Sequence, residues 1–372
     1  MTLYAIIIIS SILMMGYIGL IIFQIIYTYT QTNASENRGK SIGVSIVVPF
    51  KNEVTEIGGL INDLENLIGN EDNFEVIFVD DHSDDGSVSL VNSIVSGRIK
   101  LVNSPGNGKK AALKIGVRRS AYDIVATLDA DVRLSDNWLV EVRKFFYGKD
   151  NGFLILPILT IAENNLAGHY EALDVLALAG TTLSWANVNN AIMCNGANMA
   201  FTKSLFNHFR SDERDGNLVS GDDVFFLHQV KAKSDVNIGA VFNANTEAHT
   251  TSFNSFKDLL NQRARWTSKS HHYNDRTTWF VAWLVLLANV LIPLLALLSL
   301  LENKLINLFL IVFATKFIID FIYLLLLSIK FKKSKSLVYY PLAVIIQFVF
   351  VPLVFVKSKW GNFEWKGKSY SK

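Results

Sequence analysis

The rhythm of apolar positions divides the chain. Leu3 to about Tyr27 is an uncharged apolar run of roughly 25 residues, enough to span a bilayer as a helix of about 20. From Val44 the pattern changes to short β-branched runs, Val44–Val48, Phe74–Val79, Ile99–Val102 and Ile124–Leu128, which predict strands. Between them, roughly Thr55–Leu67, Asp85–Ser96 and Lys109–Ser120 predict helices. Such alternation is the signature of an α/β domain, a Rossmann-like, mostly parallel sheet covered by helices. Beyond residue 150 the rhythm fades. Three more apolar runs, about Trp279–Leu301, Leu305–Ser328 and Leu337–Val356, are each long enough to cross a membrane.

Composition agrees with a soluble domain carried on membrane segments, since half of the 372 residues are hydrophobic. The net charge of +2 points to no partner, and no basic patch interleaved with aromatics suggests nucleic acid. The single cysteine, Cys194, excludes an internal disulfide, and zinc-ligand spacing is absent. Arg38 and Lys40 follow the first apolar run and no basic residue precedes it, so the positive-inside rule puts the amino terminus outside and the next domain in the cytoplasm. The run is expected to be an uncleaved anchor, and polar Gln31–Ser41 a linker. Phe331–Lys335 is positive and expected inside. If the last run crossed, the basic tail from Lys357 would end outside; Pro341, Gln347 and Pro352 interrupt that run and predict a bent or re-entrant segment instead. Lys316 and Asp320, four apart in the third run, are expected to pair or to face a protein-lined groove.

Ligands of parallel sheets sit beyond the carboxyl ends of the strands, and three polar clusters fall there. The first is Pro49-Phe50-Lys51-Asn52-Glu53, the second Asp80-Asp81-His82-Ser83, the third Asp129-Ala130-Asp131. Asp129 and Asp131 can aim oxygens at one point, as Mg²⁺ or Mn²⁺ requires together with phosphate oxygens. Adjacent Asp80 and Asp81 repel unless a donor intervenes, and a pyrimidine imide N–H is such a donor; capping of the next helix accounts for Ser83 to Asp85. Gly106 to Lys110 opens a helix with backbone N–H groups and cations, without the spacing of a P-loop. Later, Cys194-Asn195-Gly196-Ala197-Asn198 is small and amide-rich, suited to close approach of a sugar or simply to a loop. Ser220-Gly221-Asp222-Asp223 starts a helix, where acids are also favoured by the dipole. Gln262-Arg263-Ala264-Arg265-Trp266 combines cation, indole and amide, suited to neutralising a diphosphate and stacking on a sugar, or to a helix lying at a membrane surface.

In this order the motifs resemble those of the membrane-bound family-2 glycosyltransferases of GT-A fold, across about residues 44 to 270. Ser45 to Glu53 resembles the opening strand, Val79 to Ser87 the uridine-binding segment, Gly108-Lys109-x-x-Ala112-Leu113 the Gly-Lys stretch, with Lys114 where Asn is usual. Asp129-Ala130-Asp131 resembles the Asp-x-Asp motif, Asp222-Asp223 the Gly-Glu-Asp motif with Asp in place of Glu, and Gln262 to Trp266 the Gln-x-x-Arg-Trp signature. The resemblance implies inverting transfer from a UDP-sugar to a membrane lipid or a lipid-linked acceptor. It implies Asp129 and Asp131 as ligands of Mg²⁺ or Mn²⁺, Asp223 as general base and Arg265 beside the leaving diphosphate. Pro49, Asn52, Glu53, Asp80, Asp81, Lys109, Asp129, Asp131 and Arg265 are the expected nucleotide-sugar contacts, and Asn195, Gly196, Asn198, Asp222, Gln262 and Trp266 the acceptor side. The expected organisation is an anchor over 1–28, a linker over 29–43, the GT-A domain over 44–254, an interfacial helix over 255–276, membrane segments over 277–357 and a basic tail over 358–372, in a bacterial inner membrane. A processive polysaccharide synthase and a non-catalytic nucleotide-sugar-binding scaffold are the alternatives; whether the chain has a protein partner or forms an oligomer is left open.

Overall fold

The computed structural model describes residues 2–30, 42–209, 222–233, 235–243, 245–270, 273–361, 363–365 and 368–370. The expected linker at 31–41, Ser220, Gly221, the Asp222 side chain and residues 362, 366, 367, 371 and 372 of the basic tail lie outside the described residues. The chain divides into two compact units, residues 30–159 with 185–250, and residues 1–29 with 160–184 and 251–372.

In the first of these, β1 (Val44–Phe50), β2 (Phe74–Asp80), β3 (Ile99–Asn103) and β4 (Ile124–Leu128) are the four expected strands. All pair in parallel, in the order β3-β2-β1-β4. Every residue of β1, β2 and β4 is buried, as strands covered on both faces must be. Helices α2 (Ile57–Asn70), α3 (Ser87–Asn92) and α4 (Lys109–Arg119) make the crossovers. The chain steps outward from β1 to β3 and returns through α4 to the far side of β1, which makes the carboxyl ends of β1 and β4 a topological switch point. Helix α4 lies close on the sheet because position 116 is glycine; a Cβ there would come within 2.3 Å of Val47 Cγ1. At the opposite end Ser45 donates to Glu75 at 2.7 Å and Lys100 pairs with Glu75 at 2.6 Å.

The sheet continues past β4 as β8 (Asn198–Thr202), β6 (Gly152–Ile155) and β9 (Asn237–Ala240). Strand β8 is antiparallel to both β4 and β6, the physical form of the rhythm lost after residue 150. Short β5 (Arg133–Leu134) pairs antiparallel with β10 (Ala248–Thr251), β7 (Ile158–Ile161) lies between β6 and β8 in sequence, and α5 (Trp138–Phe146), α7 (Lys203–Phe209) and α8 (Asp222–Lys231) complete the elements.

Among its described residues, the other unit holds four helices long and apolar enough to cross a membrane: α1 (Thr2–Tyr29), α10 (Arg276–Leu301), α11 (Ile306–Lys330) and α12 (Tyr340–Trp360). The last is the segment expected to be bent or re-entrant. It runs as one helix through Gln347 and Pro352, and Pro341 sits in its first turn, where a missing N–H costs nothing. Inside α11, Lys316 is fully buried and pairs with Asp320 at 2.5 Å, and Tyr17 of α1 donates to Asp320 at 2.8 Å. Burial with two partners is how an intramembrane charge is tolerated. Helix α6 (Leu166–Ala186), expected inside the GT-A domain, groups over 166–184 with these helices. Gly180 on it leaves room for Tyr323 and Leu327 of α11, and Tyr170 packs its ring on Phe350 of α12.

Candidate active site

The rim at the carboxyl ends of β1, β2 and β4 is laced together by short polar side chains. Asn52 stands at φ 53°, a left-handed conformation that asparagine tolerates. Its Oδ1 accepts from Asp84 N–H at 2.9 Å while its own N–H donates to Ser83 Oγ at 3.1 Å. Glu53 N–H donates to Ser87 Oγ at 2.9 Å, and Val54 N–H to Asp85 at 2.9 Å. Asp80 accepts from Ser83 N–H at 3.0 Å, and Asp81 Oδ1 accepts from Gly108 N–H at 2.8 Å. Both aspartates are buried. The repulsion foreseen between them is thus met by backbone donors, and the Asp81–Gly108 bond fixes the start of α4 beside the β2 end.

One residue further, Lys109 reaches Asp129 with its ammonium in direct ion contact. Ala130 and Val132 point into the core, which turns Asp129 and Asp131 outward at the end of β4. Burial would lower the Lys109 pKa, but Asp129, Asp223 and Asp131 around it outweigh that and hold it up. Loss of hydration within the cleft, with the charges of Asp129 and Glu53, pushes the Asp131 carboxyl up to about 6, although its side chain opens to solvent at the cleft mouth.

Asp223, at the start of α8, joins this group from nearly a hundred residues away. Its Oδ2 accepts from Gly196 N–H at 2.8 Å and its Oδ1 from Val224 N–H at 2.9 Å. The Gly196 carbonyl accepts from Thr127 Oγ1 at 2.8 Å, so the loop that aims Asp223 is fastened to β4 two residues before Asp129. Asn195 folds onto the same loop, its Oδ1 accepting from Ala197 N–H at 3.0 Å.

Two expected contacts are corrected. Asn198 is fully buried, and its amide is consumed by Trp138 Nε1 at 2.9 Å, the Pro157 carbonyl at 2.7 Å and the Thr246 carbonyl at 3.2 Å; no ligand reaches it. Pro49 is buried within β1 and serves the strand. Thr127 and Ser87 are positioning groups that sequence reasoning missed, although Thr127 stands two places before Asp129.

Residues 45–209 match the family model described as Glycosyl transferase family 2. The match covers less than half of the chain. The chain is 33% identical over 103 residues to a probable glycosyltransferase of Sulfolobus acidocaldarius, covering 26% of this chain and 22% of that protein. It is 32% identical over 95 residues to the undecaprenyl-phosphate 4-deoxy-4-formamido-L-arabinose transferase of Aeromonas hydrophila, covering 24% and 29%. The chain therefore spans only 22% and 29% of the length of these two relatives. A mannosyltransferase from Pyrobaculum calidifontis, in complex with GDP-Man and Mn²⁺, superposes with a TM-score of 0.53 at 16% identity, over 96% of this chain and 98% of that one. The likeness is one of fold, and the fold is GT-A.

The donor set at this rim fits a hard divalent cation that brings ligands with it. Asp129 and Asp131 offer oxygens, Glu53 adds negative charge beside them, and Lys109 balances only part of the total. Among the described residues no group of three or more His, Cys, Asp or Glu side chains forms a cage. Mg²⁺ and Mn²⁺ suit such a site, because they take one or two carboxylates and complete their shells with phosphate oxygens and water.

The Gln-x-x-Arg-Trp residues lie in the other unit, on α9 (Phe256–Thr267), whose amino end is capped by Ser255 accepting from Asp258 N–H. There Arg263, buried, pairs with Asp174 of α6 at 2.8 Å, bonds Gln262 Oε1 and lies 4.4 Å over the Trp266 ring. Arg265 and Trp266 are half-buried.

Proposed function

We propose that the protein is a metal-dependent, inverting glycosyltransferase that moves a sugar from a UDP-sugar to a membrane lipid or lipid-linked acceptor. The observation that carries the reading is the grouping of Asp129, Asp131 and Asp223 around Lys109 at the switch point of a family-2 domain. A single carboxylate base opposite one cation and diphosphate site suffices for direct displacement at the anomeric carbon with inversion, whereas double displacement calls for a second carboxylate as nucleophile.

In this reading Asp81 takes the uracil imide N–H on the carboxylate oxygen that Gly108 leaves, with Asp80 supporting the same pocket and Asn52 and Glu53 shaping its edge. Asp129 and Asp131 hold Mg²⁺ or Mn²⁺, which supplies charge neutralisation for the departing diphosphate. Asp223, oriented by the Gly196 and Val224 N–H groups, removes the proton of the acceptor hydroxyl, a contribution of roughly 10²–10⁴ in rate. Gln262, Arg265 and Trp266 are assigned by the family resemblance alone.

A lipid acceptor is supported by the four long apolar helices and by the Aeromonas relative, whose name contains undecaprenyl-phosphate. The proposed location is a bacterial inner membrane with the catalytic domain in the cytoplasm, supported by Arg38, Lys40 and the Phe331–Lys335 cluster. The test is product analysis. Purified protein in lipid is given Mn²⁺, bacterial lipid extract and radiolabelled UDP-glucose, UDP-N-acetylglucosamine or GDP-mannose. A discrete organic-soluble product from a UDP donor supports the reading; a long water-soluble polymer means a processive synthase; transfer from GDP-mannose alone overturns the donor assignment.

A further inference from the structure

Lys109 is the lysine of the Gly-Lys stretch. It is the first residue of α4, where the helix dipole is positive and favours anions over cations. Its backbone root is fixed, since the preceding Gly108 donates to Asp81. Its side chain is 46% exposed, and Asp129 opposite is 33% exposed, so the ammonium has room to leave. The carboxylates that hold it there are those to which the proposed function assigns the divalent cation.

We infer that Lys109 is a tethered counter-cation: it neutralises Asp129 until a metal-bound diphosphate arrives, then releases that carboxylate and turns to the diphosphate, so that metal and nucleotide are taken together. The inference rests on the metal site of the proposed function. Three features of the geometry lead to it. The ammonium in contact with Asp129 occupies the space in front of the oxygen a cation would use, and opposes that cation by its charge. Asp131 and Asp223 share the same neighbourhood without being paired to it directly, so negative charge remains to draw a divalent ion once Asp129 is released. Gly108 and Lys109 are consecutive, which puts the proposed base contact at Asp81 and the cation at Asp129 on the two ends of a single dipeptide. A nucleotide seated at Asp81 would therefore bring its diphosphate to the start of α4, where an anion is welcomed by both the dipole and the displaced ammonium.

The test is Mn²⁺ binding to the full-length protein in detergent, read from the electron paramagnetic resonance signal of free Mn²⁺, with and without UDP. The wild type is expected to bind Mn²⁺ weakly alone and much more tightly with UDP. Lys109→Gln is expected to bind Mn²⁺ alone about tenfold more tightly, the factor that corresponds to about 1.4 kcal/mol, and to lose most of the gain from UDP. Lys109→Arg, which keeps the charge, is expected to behave as wild type. A variant that failed to fold would lose binding, so a gain cannot come from misfolding. Equal or weaker Mn²⁺ binding by Lys109→Gln without UDP would overturn the inference. Asp131→Asn separates the two levels: if it retains UDP-dependent Mn²⁺ binding, the metal site of the proposed function is itself misassigned; if it abolishes that binding while Lys109→Gln leaves the metal-only affinity unchanged, only the tethered cation fails.

Discussion

The backbone N–H of Gly196 donates to Asp223 Oδ2 at 2.8 Å, and a Cβ at Gly196 would stand 3.4 Å from that same oxygen. Orientation of the proposed base is thus a backbone property of a loop fastened to β4 through Thr127. Gly196→Ala is expected to be close to wild type, because 3.4 Å is ordinary contact. Gly196→Val adds branches toward the carboxylate and is expected to lower turnover by about 10²-fold, the order of loss from an ångström of misplacement, with UDP binding retained. Steady-state kinetics beside equilibrium UDP binding measures both.

Gly116 tests the packing that sets the height of α4, and so of Lys109, over the sheet. With a Cβ 2.3 Å from Val47 Cγ1 and 3.1 Å from Val79 Cγ2, Gly116→Ala overpacks a closed interface. The expected cost is about 1–3 kcal/mol, seen as a lower denaturation midpoint. Gly97, with nothing within 4 Å of an added Cβ, is the control position.

Much of this arrangement was legible in the sequence, and the reasons are local. β1, β2 and β4 announce themselves because buried parallel strands are nearly continuous apolar runs, and acids directly after them have no place in the core. Asn198 misled because an amide looks the same in sequence whether it meets a sugar or a backbone carbonyl. Its partners Trp138, Pro157 and Thr246 lie 41 to 60 positions away, and only the fold reveals them. Helix α6 escaped as a companion of the membrane helices because its apolar residues follow no clear periodicity and carry no charge pattern. Pro341 and Pro352 suggested a break, yet a proline in the first turn of a helix is harmless, and one in a long apolar helix is tolerated where neighbours supply the lost bond.

Stability toward acid is expected to depend on Glu75. Burial disfavours its charge, but the Lys100 ammonium, the Ala121 N–H and the Ser45 hydroxyl outweigh burial and hold its pKa below the usual carboxylate value. A carboxyl whose pKa is lower in the folded than in the unfolded chain stabilises above the unfolded value, about 4.3, and that stabilisation is lost as pH falls through the folded one. Denaturation curves from pH 7 down to about pH 3 are therefore expected to converge for wild type and Glu75→Gln at the acid end, with the wild type more stable at neutral pH. A constant gap across the range would contradict this assignment.

The most direct test of the account is sugar transfer by Asp223→Asn, measured beside Mn²⁺-dependent UDP binding on the same preparation. The substitution keeps the shape and one of the two backbone hydrogen bonds, since an amide NH2 cannot accept the other, and removes the proton acceptor. The account predicts UDP binding near that of wild type and transfer reduced by roughly 10²–10⁴-fold. Full turnover by the variant would contradict it and move the base elsewhere on the rim.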